Sequence, residues 1–208
     1  ELPSEVAAQV IFGKYVESSG LVFSRELIQM MIDRTKPRIT GDYWFDPGVV
    51  AECKMMDADR KRNWFHGGID FARQTDFTVI TVLDTRFRPA NLVYYKRLNR
   101  VPWESIYREV GRACYIFGPS ALGDSTGMAG DVIFDALESR HYCGVHDQTF
   151  LLEDGFCRNR QSGEVNRDCS RTKHHVSLSC VEKYDFSAGT KKNLIEHHRN
   201  VMSAEYLA

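Results

Sequence analysis

No apolar run in the 208-residue chain approaches the ~20 residues that a bilayer-spanning helix requires. The opening Glu1-Leu2-Pro3-Ser4-Glu5 has no basic segment leading into an apolar core, so it does not read as a secretory signal. It also lacks an initiator Met, and the chain reads as a fragment of something longer. The six cysteines form no Cys-x-x-Cys pair and are too sparse for a disulfide scaffold, which leaves them as reduced thiols of a cytosolic protein. There is no Gly-x-x-x-x-Gly-Lys-Ser/Thr loop, no internal repeat and no low-complexity tract. Charge of one sign is also missing: 27 basic residues face 28 acidic ones, for a net charge of −1. That balance excludes a uniformly basic chain but not a basic groove, because affinity for phosphates follows local rather than total charge.

What is present is an ordinary globular mixture, 43% hydrophobic and 26% charged, enough to build a core. The spacing of Val6, Val10 and Phe12 predicts a helix over 5–16. Ser24 caps a second one running to about Arg34, with Leu27, Ile28, Met31 and Ile32 on one stripe. Residues 35–62, rich in Pro, Gly, Asp and Lys, read as a connection, and the main domain is expected to begin near Asn63. Strands are then expected at 64–72, 77–84 and 92–97, joined by polar turns into an antiparallel meander. An amphipathic helix over 102–112 starts at Pro102. A short strand at 120–123, a helix at 130–139 and a strand at 144–152 follow. Residues 153–178 have no sustained period and read as a loop. A last helix opens near Ser187 or Thr190 and carries Leu194, Ile195, Val201 and Met202. This order specifies an α/β fold with a mixed sheet.

Two acidic positions stand out. In Gly67-Gly68-Ile69-Asp70-Phe71-Ala72 the strand alternation turns Ile69 and Phe71 to one side and Asp70 to the other. A carboxylate inside an apolar strand is costly unless its charge is paired, and a divalent cation would pair it. The plainer alternative is a strand-end Asp bonded to the next turn. Asp124 closes the second short strand before Ser125-Thr126-Gly127, where a turn-forming role is equally natural. Asp131 falls in a first helical turn and reads as structural. Carboxylates converging from different strands onto one sheet edge repel one another without metal and suit Mg²⁺ or Mn²⁺. Two such ions about 4 Å apart promote phosphodiester hydrolysis.

The run Gly68-Ile69-Asp70-Phe71-Ala72 with Thr75-Asp76-Phe77-Thr78-Val79-Ile80 resembles the first nuclease motif of bacteriophage terminase large subunits. Gly123-Asp124-Ser125-Thr126-Gly127, followed by 131–137, resembles their second acidic motif. Phe186-Ser187 with Lys191-Lys192 resembles the segment after it, and 9–23 resembles the stretch joining motor to nuclease. The resemblance implies an RNase H-like mixed β-sheet flanked by helices, with residues 1–62 as a helical linker arm from an absent ATPase motor domain. Residues 63–208 would be the nuclease domain, truncated at its C-terminus. It implies a metal-dependent endonuclease that cuts concatemeric double-stranded DNA during genome packaging in the host cytoplasm, alongside the terminase small subunit and portal, away from membranes. Asp70 and Asp124 would be catalytic and hold two Mg²⁺ or Mn²⁺ ions, Asp76 would be an accessory metal ligand, and Lys191 and Lys192 would lie near the DNA backbone. For Lys191 and Lys192 a solvated helix start is the bland reading. The family's third carboxylate, on a later helix, has no counterpart in context; Asp185 and Glu205 are the available substitutes.

Other readings compete. The same fold serves junction resolvases and transposase-type nucleases, and a chain without the third carboxylate would fit a non-catalytic module that contacts DNA or the portal. Cys143, His146, Cys157, Cys169, His174, His175 and Cys180 are zinc-ligand types, but their spacing matches no standard finger, which counts against a zinc site.

Overall fold

The computed structural model describes residues 39–72, 76–88, 90–126, 129–154, 157–158, 162–165, 174–185, 190 and 193. The chain divides into two compact units, Arg38–Ser187 and a second formed by Glu1–Pro37 with Ala188–Ala208. All elements named below belong to the first. The helices expected over 5–16 and 24–34, and the last helix from about residue 187, lie outside the described residues, apart from isolated helical positions at Thr190 and Asn193.

The elements run β1 (Tyr43–Phe45), α1 (Pro47–Cys53), α2 (Ala58–Trp64), β2 (Phe65–Asp70), β3 (Thr78–Asp84), β4 (Asn91–Leu98), α3 (Trp103–Phe117), β5 (Ser120–Asp124), α4 (Ala129–Glu138), β6 (Arg140–Cys143), β7 (Gln148–Leu151), β8 (His175–Ser177) and β9 (Val181–Tyr184). Short 3-10 turns occupy Leu152–Asp154 and Leu178–Cys180. No helix among the described residues is long and apolar enough to cross a membrane.

A six-stranded mixed sheet has the order β1-β4-β3-β2-β5-β9. β2, β3 and β4 form the expected antiparallel meander, while β5 and β9 add parallel strands on the other side of β2. The parallel step from β2 to β5 needs a crossover, and α3 is part of it. The arrangement is α/β with a mixed sheet and helices on it, as the strand and helix order implied. Alternation fixes its two faces. Phe65, Ile69, Ile80, Val82, Ala121 and Val181 are buried on the helix-covered side. Leu83 and Leu122, on the other side, remain 38% and 43% exposed. A smaller antiparallel sheet has the order β7-β6-β8. α3 contacts both sheets: Phe117 meets Phe65 and Tyr94 at ring separations of 5.6 and 5.7 Å, and Tyr115 meets Tyr142 at 6.1 Å.

Several expected boundaries move for identifiable reasons. The stretch 35–62 is not only a connection: β1 pairs with β4, and Asp46 and Asp57 cap α1 and α2 through their carboxylates. Trp64 closes α2 rather than opening β2. α3 continues five residues past Arg112 because Ala113, Cys114 and Phe117 extend its buried stripe, and it stops at Gly118 in the left-handed region (φ 49°). The strand expected over 144–152 is a hairpin instead; β6 and β7 flank a turn in which Asp147 takes φ 50°. Within 153–178, read as a loop, β8 forms and Arg158 bridges Val165.

Candidate active site

The geometry of the acidic positions follows from strand pairing. β2 and β5 run parallel with Ile69 opposite Gly123, and the next residues in that register are Asp70 and Asp124. Paired residues of parallel strands face the same way, and neighbouring strands lie about 4.8 Å apart. Ile69 and Gly123 are buried against the helices, so both carboxylates emerge on the open face, at the C-terminal ends of their strands. Gly123 brings this edge together. A Cβ there would lie 2.8 Å from Phe71 Cε2, 2.9 Å from Phe134 Cζ and 3.2 Å from Val181 Cγ1.

Asp70 is exposed and Asp124 half-buried. Asp124 Oδ1 accepts from the Thr126 amide at 2.7 Å, so the turn-forming role foreseen for it is real and occupies one of its two oxygens. Ala72, just past Asp70, is clamped by Thr78, fully buried, whose Oγ1 donates to the Ala72 carbonyl (2.5 Å) and accepts from the Ala72 amide (2.9 Å). Thr78 was not foreseen from the sequence; a threonine at the head of an apolar strand was its only signal.

Asp76, exposed, lies in the β2–β3 connection that leaves this same edge. Asp131, in the first turn of α4, accepts from Lys183 Nζ at 3.1 Å, and this contact raises the Lys183 pKa. Asp185 follows Tyr184, which pairs with Asp124, so β9 brings it to the rim where β2 and β5 end. Sequence reasoning had no strand at 181–184 and therefore no position for Asp185; the alternation Val-Glu-Lys-Tyr was the available sign. Lys191, Lys192 and Glu205 lie outside the described residues.

Chemically, the rim offers two hard-oxygen donors from adjacent strands on a solvent-open face. That donor set fits Mg²⁺ or Mn²⁺, which prefer carboxylates and retain several waters.

No protein-family model matches the chain, and no curated protein matches it significantly. Among solved structures it resembles the large terminase nuclease from thermophilic phage G20c with bound magnesium, at a TM-score of 0.42 and 15% identity. A second structure of that nuclease gives a TM-score of 0.40 and 16% identity. Each likeness covers 69% of this chain and 56% of the other, so the chain spans little more than half the length of those proteins.

Proposed function

We propose that the chain is a metal-dependent nuclease domain that hydrolyses phosphodiester bonds in double-stranded DNA, with Asp70 and Asp124 as its catalytic carboxylates. One observation carries this reading: the two acids follow consecutively in the β2–β5 register, on the open face of the sheet. Adjacent carboxylates on strands about 4.8 Å apart repel each other, and a shared cation removes that repulsion. Divalent cations, when bound, supply Lewis acidity toward the phosphoryl group. The chain's own part is positional. Asp70 and Asp124 present oxygen ligands at a common height, the Thr78 clamp fixes Ala72 just past Asp70, and the Thr126 amide fixes the rotation of the Asp124 carboxylate.

Water attacks phosphorus as the bond to the leaving sugar oxygen breaks. Two Mg²⁺ or Mn²⁺ ions suit this rim, with Asp76 as an accessory acid and Asp185 as the substitute third carboxylate. Lys191 and Lys192 would lie along the DNA backbone. Packaging-associated cutting of concatemeric DNA in the host cytoplasm, beside a small subunit and portal, is the biological setting that the sequence motifs support. Within that setting residues 1–62 would carry the arm toward a motor domain.

Plasmid cleavage with Mg²⁺ or Mn²⁺ tests the reading. Asp70→Asn and Asp124→Asn should each lower the rate at least about a hundred-fold, the upper end of what loss of an outer-shell partner costs a metal site. Asp131→Asn, whose carboxylate is 88% exposed and paired with Lys183, should leave it nearly unchanged. Equal cleavage by wild type and Asp70→Asn would refute the assignment. Absence of both cleavage and an Mn²⁺-dependent thermal shift would favour a non-catalytic module.

A further inference from the structure

A second cluster of chemistry-bearing groups lies in the smaller sheet, formed by residues whose sequence spacing argued against a metal. Cys143 ends β6, His146 sits in the β6–β7 turn, and Cys157 follows the 3-10 turn after β7. Their ligand atoms all fall within 4.8 Å of one another. His146 Nδ1 is 3.5 Å from Cys143 Sγ and 3.3 Å from Cys157 Sγ. A tetrahedral zinc with bonds of about 2.3 Å to sulfur and about 2.0 Å to nitrogen holds those atoms about 3.5 Å apart. The observed spacing is therefore already that of two edges of a zinc tetrahedron.

We propose that Cys143, His146 and Cys157 are three ligands of a structural zinc ion, with the fourth supplied by His174. Local structure aims the three at one point. The left-handed turn residue Asp147 folds His146 back over Cys143, and the Asp147 carboxylate is anchored by the Tyr142 hydroxyl (2.7 Å) and Arg112 (2.5 Å). Gln148 Nε2 donates to the Arg158 carbonyl at 2.7 Å, which seats the adjacent Cys157. Both thiols are 0% exposed while His146 lies at the surface, leaving a path for the ion to enter. The Gly144 amide donates to the His174 carbonyl at 2.8 Å, so the chain returns to this turn at the fourth ligand.

The need for an ion is also visible. The small core around this cluster consists of the two cysteines with Phe150 packed against them. A local cluster with so little apolar area to bury is the kind of unit that a metal completes. Sulfur and imidazole donors select zinc over Mg²⁺, so the site is chemically distinct from the carboxylate rim and its existence does not depend on the nuclease reading. Zinc replaces the protons of the two thiols, which pass to solvent.

The full chain, purified with Zn²⁺ in the medium and dialysed, should retain about one zinc per molecule. Replacing it with Co²⁺ should give the intense visible d–d bands of a tetrahedral ion and a thiolate-to-cobalt charge-transfer band. Cys157→Ser should weaken that band and lower zinc retention. His174→Ala should also alter the cobalt spectrum, and an unchanged spectrum would remove His174 from the ligand set. Wild-type protein that is folded by circular dichroism yet holds neither zinc nor cobalt would overturn the proposal. That outcome needs no variant to fold, and cleavage at the carboxylate rim does not enter it.

Discussion

Among the described residues, Arg86 is the most densely engaged side chain outside the two candidate sites. It donates to both oxygens of Asp84 at 2.7–3.1 Å and to both of Glu52 at 2.5 and 3.0 Å, and it lies 5.2 Å from the centre of the Trp64 ring. The two acids differ in exposure: the Asp84 side chain is 1% exposed and that of Glu52 44%. Asp84→Asn leaves Arg86 with Glu52 as its remaining carboxylate partner, so it should cost about 1.5–3 kcal/mol, the worth of hydrogen bonds to a charged group. Glu52 is half in water, and Glu52→Gln should cost no more than about 1 kcal/mol at neutral pH. Its hydrogen bonds from Arg86 hold the Glu52 carboxyl below its usual value. Its contribution is therefore complete above the unfolded-state pKa of about 4.3 and fades as pH falls through the lower folded-state value. Urea unfolding of wild type and Glu52→Gln across that range should show the stability difference shrinking toward acid. A difference that stays constant would mean the charge on Glu52 contributes nothing.

At the scale of elements, β5 shows how packing controls chemistry. Its burial alternates, with Ala121 and Gly123 inside and Leu122 outside. Gly123→Ala would drive a methyl into the Phe71 and Phe134 rings, whose centroids are 5.9 Å apart in edge contact, at a cost of about 1–3 kcal/mol for overpacking. Relief by shifting β5 would carry Asp124 out of line with Asp70, so cleavage should fall by more than the stability loss explains. Leu122→Ala, on the open face, should change stability by about 0.5 kcal/mol or less and leave the carboxylates in register. Unfolding curves and cleavage rates for the two variants check this; equal loss of activity in both would remove the link between packing and alignment.

The same element shows what the sequence could reveal. The meander, β5 and α4 were legible because period-2 and period-3.6 patterns there are bounded by turn residues. The placing of Asp70 and Asp124 at the ends of neighbouring strands was accessible as an expectation because both close their strands. β1, at three residues, and β9, at four, are too short for periodicity to separate from coil. The Cys143–His146–Cys157 convergence was hidden for another reason: it depends on Asp147 adopting a left-handed turn and on Gln148 holding Arg158, neither of which ligand spacing encodes.

Across the Arg38–Ser187 unit, α3 is the spine that two unequal sheets share. The larger sheet rests on it through a continuous core that includes Phe65, Ile80, Val82, Tyr94, Val110 and Phe117. The smaller one is tied to it by Tyr142 packing, the Arg112–Asp147 pair at 2.5 Å and the Glu104–Arg140 pair at 3.6 Å. Glu104 also bonds the Thr149 hydroxyl. Three of these four ties are polar and at least partly solvent-exposed, and such contacts hold less free energy than a buried apolar layer. Opening of the smaller sheet should therefore cost less than global unfolding, and local openings of this kind are read by amide hydrogen exchange. With zinc bound, amides of β6 and β7 should exchange slowly; after zinc is extracted by a chelator they should exchange at least tenfold faster, about 1.4 kcal/mol of lost protection. Amides of β2, β3 and β5, closed in by the larger core, should keep their rates in both states. Simultaneous loss of protection in both sheets would mean that they unfold as one cooperative unit, and that the metal braces the whole molecule rather than one edge of it.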